Sequence, residues 1–121
     1  MGKITQSFVN NVPLLPVTAT IPINGSTSGV IDCTKYQLVA IYMPSAFTGT
    51  TITFTSSYNN EATFNPICQV GNATTYSVTV AASKHIPVLA DVFLGASYIK
   101  IVSGSIEVAA RDIICILRPI T

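Results

Sequence analysis

Five residues, Thr51-Ile52-Thr53-Phe54-Thr55, constrain the fold more tightly than any other stretch of this chain. Hydroxyl and apolar side chains alternate with a period of two, and only an extended strand sorts that pattern onto two faces. Ile52 and Phe54 then share one face and the three threonines the other. Tyr76-Ser77-Val78-Thr79-Val80 repeats the device. Gln37 to Met43 and Ile113 to Leu117 are instead apolar at nearly every position. Such runs suit central strands covered on both faces, by a second sheet and by a partner or loop. Turn signals fall between these runs at Asn24-Gly25-Ser26, Thr48-Gly49, Asn59-Asn60, Gly71-Asn72 and Ser103-Gly104. About eight short strands spaced this way predict an all-β chain, an antiparallel β-sandwich of jelly-roll or immunoglobulin-like type. One stretch, Ala90-Asp91-Val92-Phe93-Leu94-Gly95, is expected to form a helical turn closed by Gly95.

The first residues follow neither period. Phe8, Val9, Val12, Leu14 and Leu15 are apolar, while Pro13 and Pro16 oppose both helix and ladder pairing. Residues 1–16 therefore read as an extended N-terminal arm and residues 17–121 as a single sandwich domain, with no repeat or linker between them. The arm is either an edge segment draped over its own domain or a strap across a neighbouring subunit. The second reading makes Phe8, Val12, Leu14 and Leu15 candidate contacts. MGKITQ departs from a myristoylation signal at Gln6, and the arm lacks the apolar core and small-residue cleavage site of a signal peptide. No run is free enough of Pro, Gly and polar residues to read as a membrane-crossing helix. The expected place of synthesis and assembly is a cytoplasm.

Charge is scarce. Charged residues make up 9% of the chain and hydrophobic residues 49%, against roughly 25% charged in an average domain. No Asp, Glu, Lys or Arg occurs from Ile4 to Ile31, from Tyr36 to Asn60, or from Ala62 to Ser83. A net charge of +1 gives little steering and little self-repulsion. Such a surface is expected to rest against copies of itself or against a partner. Cys33, Cys68 and Cys115 are dispersed and odd in number, which argues against a disulfide framework and against zinc. Cys115 alternates with apolar neighbours and reads as a small buried hydrophobe. The sequons at Asn24 and Asn72 read as turns.

Catalysis finds little to build on. The single histidine, His85, sits in an edge-like segment, and no local motif links it to Cys68, Cys115 or Asp91. The carboxylates Asp32, Glu61, Asp91, Glu107 and Asp112 form no pair suited to glycoside chemistry or to metal binding. Six basic residues make no stripe for nucleic acid, and Tyr98 with Lys100 reads as shielding for a sheet face. A carbohydrate module would want an aromatic platform, for which Tyr42, Tyr58 and Tyr76 are weak substitutes in a chain without Trp. No catalytic, cofactor-binding or metal residues are assigned.

The C-terminal pattern Tyr98-Ile99-Lys100-Ile101-Val102-Ser103-Gly104, a loop with Ala110-Arg111-Asp112, and an apolar strand ending Leu117-Arg118-Pro119 resembles the tailed-bacteriophage capsid decoration, or cement, proteins. Ile31-Asp32-Cys33, Leu38 to Phe47 with its Met43-Pro44, and Thr51 to Ser56 are similar too, so the resemblance covers about residues 30 to 119. It implies a non-catalytic virion protein on the capsid surface, assembled in the host cytoplasm. The implied partners are the major capsid protein and further copies of the chain, a trimer being favoured, without a cofactor, specific nucleic acid or membrane. Arg111 and Asp112 would pin the loop as a local hydrogen-bonded pair or, on a sharper reading, touch a neighbouring subunit. The alternative is a phage tail, neck or fibre component with a glycan-binding role.

Overall fold

In a computed structural model of the chain, residues 13–61 and 63–120 are described. Nine strands form among them: β1 (Leu15–Ile21), β2 (Ile31–Asp32), β3 (Tyr36–Tyr42), β4 (Thr51–Ser57), β5 (Asn65–Pro66), β6 (Ser77–Thr79), β7 (His85–Pro87), β8 (Tyr98–Ser103) and β9 (Arg111–Pro119). They build two antiparallel sheets, one ordered β1-β9-β3-β7 and the other β2-β8-β4, whose far edge is shared by β5 and β6.

The pairing follows one rule. First pairs with last (β1 with β9), second with second-last (β2 with β8), then β3 with β7 and β4 with β6. The chain is thus a long hairpin rolled up on itself, and β3–β9 and β4–β8 contacts close the roll. This is jelly-roll topology. An immunoglobulin sandwich would keep its first two strands in one sheet, whereas here β1 and β2 lie in different sheets.

Alternation sets which side chains fill the space between the sheets. Ile52 and Phe54 of β4 are fully buried, Phe54 opposite Ile101 of β8 and Ile52 opposite Ser103, while Thr51, Thr53 and Thr55 point outward. The opposite wall is Ile113, Cys115 and Leu117 of β9 with Leu38 and Ile41 of β3 and Ala19 and Ile21 of β1. A β-bulge at Val39–Ala40, two residues against Ile116, explains why β3 is apolar without a break. It lets Leu38 and Ile41 both face inward although they are three positions apart.

The expected helical turn is a 3-10 helix at Ala90–Phe93, and Gly95 follows it with φ +79°. It drives Phe93 into the core, edge-on to Phe54 at 4.9 Å and to Tyr76 at 6.1 Å between ring centroids. The Tyr76 hydroxyl accepts the Leu89 N–H at 3.1 Å, which ties the helix to the second sheet. Three of the five turn signals take positive φ, at Asn24, Asn60 and Gly71, and Gly104 lies in a bend, whereas Thr48-Gly49 forms no turn.

The boundary between arm and domain lies earlier than the sequence suggests. Leu15 and Pro16 belong to β1, in register with Leu117 and Ile116. Pro16 is tolerated because β1 is an edge strand, where a missing N–H breaks no second ladder.

Candidate functional site

The outer face of the β1-β9-β3-β7 sheet lies on the side away from the core. Register places two complete rows across it. Pro16, Ile116, Ala40 and Pro87 form one, and Thr18, Ile114, Tyr42 and His85 the other. None of the eight carries a formal charge at neutral pH with His85 neutral. Ile114 and Ile116 remain half-buried, Tyr42 is 46% exposed, and its ring stacks on that of His85 at 4.5 Å. These central strands are therefore covered on their inner face, while on the outer face the described residues leave them open.

Both ends of this face are polar. At one, Thr20 donates its hydroxyl to Asp112 Oδ1 at 2.7 Å. At the other, Arg118 Nη2 donates to Gln37 Oε1 at 2.8 Å, and Gln37 Nε2 donates to the Ala90 carbonyl at 2.6 Å. That last bond anchors the 3-10 helix to β3.

Arg111 and Asp112 do not pair with each other, contrary to the expectation from sequence. Neighbours on a strand point to opposite faces, so Asp112 meets Thr20 outside while Arg111, opposite Ile21, turns inward. The partner of Arg111 is Glu107, whose Oε1 lies 2.8 Å from Arg111 Nε. Glu107 has no exposed side-chain surface. Its two oxygens also accept the Thr48 N–H (3.1 Å), the Thr48 hydroxyl (2.9 Å) and the Gly49 N–H (3.1 Å). Its own backbone bonds Asn24 and Gly25. One residue thus joins three loops at one end of the sandwich. Gly49 is needed for the approach, since a Cβ there would lie 2.8 Å from Ser103 Oγ and 2.9 Å from Phe47. Burial pushes the Glu107 carboxyl up, but the bonds from Arg111 and Thr48 outweigh it and hold the group below its ordinary value. No sequence motif announces this staple, because Thr48 and Gly49 are 59 and 58 residues away from Glu107.

Of the expected contact residues, Phe8 and Val12 lie outside the described residues. Leu14, 57% exposed, and Leu15, 38% exposed, stand where the chain enters β1. His85 is on the outer face of β7, while Cys68 sits in the β5–β6 connection opposite Thr75. Burial, with the Asp32 charge adding to it at Cys33 and the neighbouring Cys33 sulfur at Cys115, pushes both thiols up to about 12, so both stay protonated at neutral pH. Among the described residues no cluster of three or more His, Cys, Asp and Glu is placed to hold a metal ion. Among the described residues no helix is long and apolar enough to cross a membrane.

A second feature lies beyond β4. Ser56, Ser57, Tyr58, Asn59, Glu61, Thr63 and Asn65 line a hollow of about 480 Å³, and Tyr58 stands 86% exposed at its rim. Sequence reasoning saw only a turn at Asn59-Asn60, because the residues become a hollow only when β5 folds back on β4. Lys100, expected to shield a sheet face, lies over the Phe64 ring nearby at 4.3 Å. Comparison of the chain with family models, with curated proteins and with solved structures gives no match, and the strand pairing alone identifies it as a jelly-roll β-sandwich.

Proposed function

We propose that the protein is a non-catalytic virion component that binds and stabilises the capsid lattice of a tailed phage, as a cement or decoration protein. The observation that carries this reading is the outer face of the β1-β9-β3-β7 sheet, whose two central rows carry no charge and beside which Leu14 leads into β1. A cement protein works by adding buried area where capsid subunits meet, and for that it needs shape, apolar contact and satisfied hydrogen bonds. The interior suits a static part. Every buried side-chain nitrogen and oxygen among the described residues has a hydrogen-bond partner, and the fully buried carboxylate, Glu107, is committed to holding loops. The partner would be the major capsid protein, reached by Phe8, Val12, Leu14 and Leu15, with further copies of this chain alongside.

Quantitative mass spectrometry of purified particles tests the reading. A copy number comparable to the major capsid protein is expected, and absence from the particle would refute it. Removing residues 1–12, which spares all of β1, is expected to leave a folded domain that occupies capsids less fully. Unchanged occupancy would remove the arm from the mechanism.

The hollow at Tyr58 favours a second reading, a neck, tail or fibre component that binds glycans, present in a few to a few dozen copies. An exposed ring beside hydroxyl, amide and carboxylate groups offers one apolar platform and several hydrogen-bonding partners to a sugar. On that reading Tyr58→Ala abolishes saccharide-induced NMR shifts. A wild-type chain that shows none across a glycan panel would exclude it.

A further inference from the structure

We propose that the outer face of the β1-β9-β3-β7 sheet is self-complementary: a second copy of this chain packs on it with its β9 antiparallel to the first. Three observations on β9 carry this. Its outward residues are Asp112, Ile114, Ile116 and Arg118, as the buried Ile113, Cys115 and Leu117 between them require. The acid and the base therefore sit on one face at opposite ends of one strand, about 20 Å apart at the rise of a β-strand. Between them lie only the two uncharged rows.

A two-fold axis lying in the interface and crossing the strands turns such a face onto itself. Asp112 then faces the partner's Arg118, Arg118 faces the partner's Asp112, and Ile114 meets the partner's Ile116. The other in-plane axis, along the strands, would set like charge on like. A three-fold ring uses two different patches on each copy and gains nothing from this internal symmetry. The inference goes beyond the capsid reading and replaces its three-fold expectation with a two-fold one.

The side chains are already posed for the contact. Thr20 holds one oxygen of Asp112 and Gln37 holds one nitrogen of Arg118. The second carboxylate oxygen and the remaining guanidinium N–H groups have no hydrogen-bond partner among the described residues. Aligned sheets pack about 10 Å apart, rotated by about 30°, a gap that Arg118 can cross at the rim. The apolar rows supply most of the attraction, while the end charges select the orientation.

Sedimentation of the full chain at several concentrations, with no capsid present, is the test, so its outcome is independent of the capsid reading. A reversible dimer is expected. Ile116→Lys should weaken it at least tenfold, Asp112→Arg or Arg118→Asp severalfold, and the double reversal D112R/R118D should restore it. Circular dichroism melts confirm that each variant is folded, and the double reversal guards against a variant weakened by misfolding. A monomer, a trimer, a dimer indifferent to Ile116→Lys, or a double reversal no tighter than the singles would each overturn the proposal.

Discussion

Phe54→Ala is expected to lower the free energy of unfolding by about 3–5 kcal/mol, the usual cost of removing a buried aromatic ring. Domains of this size hold about 5–15 kcal/mol in all, so the variant should sit near the edge of folding. The cost is large because Phe54 is a shared wall. Its ring is fully buried, edge-on to Phe93 and 6.2 Å from Tyr76, so its loss unpacks both β4 and the 3-10 helix. Urea denaturation measures it. Phe54→Leu, which refills most of the volume, should cost well under half as much. A loss below about 1 kcal/mol for the alanine variant would mean that this end of the core is not close-packed.

Glu107→Ala should cost about 3 kcal/mol, because it strands two backbone N–H groups, a hydroxyl and the Arg111 guanidinium at once. The same residue gives stability a pH dependence with a definite sign. The folded-state pKa of Glu107 is lowered, so its contribution is complete above the ordinary carboxylate value of 4.5. It is lost as pH falls from there through the lowered folded-state value. The melting temperature of the wild type should drop across that window, and Glu107→Gln should flatten the drop while lowering stability at pH 7. If the Gln variant kept the full acid dependence, another carboxylate would be responsible.

The sheets were legible because alternation is local. Thr51-Ile52-Thr53-Phe54-Thr55 states its two faces outright, and the glycine and asparagine turns mark where strands end. The choice of jelly roll over immunoglobulin topology was not legible, since it depends on which distant strands pair, and periodicity is silent on partners. The continuous apolar run of β3 promised two covered faces, yet part of it is a bulge. Arg111 and Asp112 misled for a related reason: adjacency in sequence suggested a pair, while the strand sends them to opposite faces. Leu14 and Leu15, singled out by their apolar character alone, stand exposed where the chain enters β1. The Glu107 staple needed the fold because it joins loops that meet only once the hairpin is rolled, and the hollow at Tyr58 because it forms only when β5 folds back on β4.

The first-with-last pairing also governs the order in which the chain can acquire its shape. β1 finds its ladder only on β9, and β3 is flanked by β7 and β9, so the β1-β9-β3-β7 sheet is incomplete until residues 111–119 have been made. A growing chain consequently carries β1 without its ladder until β9 has been made. Closing loops this long before any contact repays them makes folding slow, in the range of milliseconds to seconds for such topologies. The scarcity of charge that suits an assembled surface then becomes a hazard at birth, because few like charges keep neighbouring nascent chains apart while β1 waits for its partner.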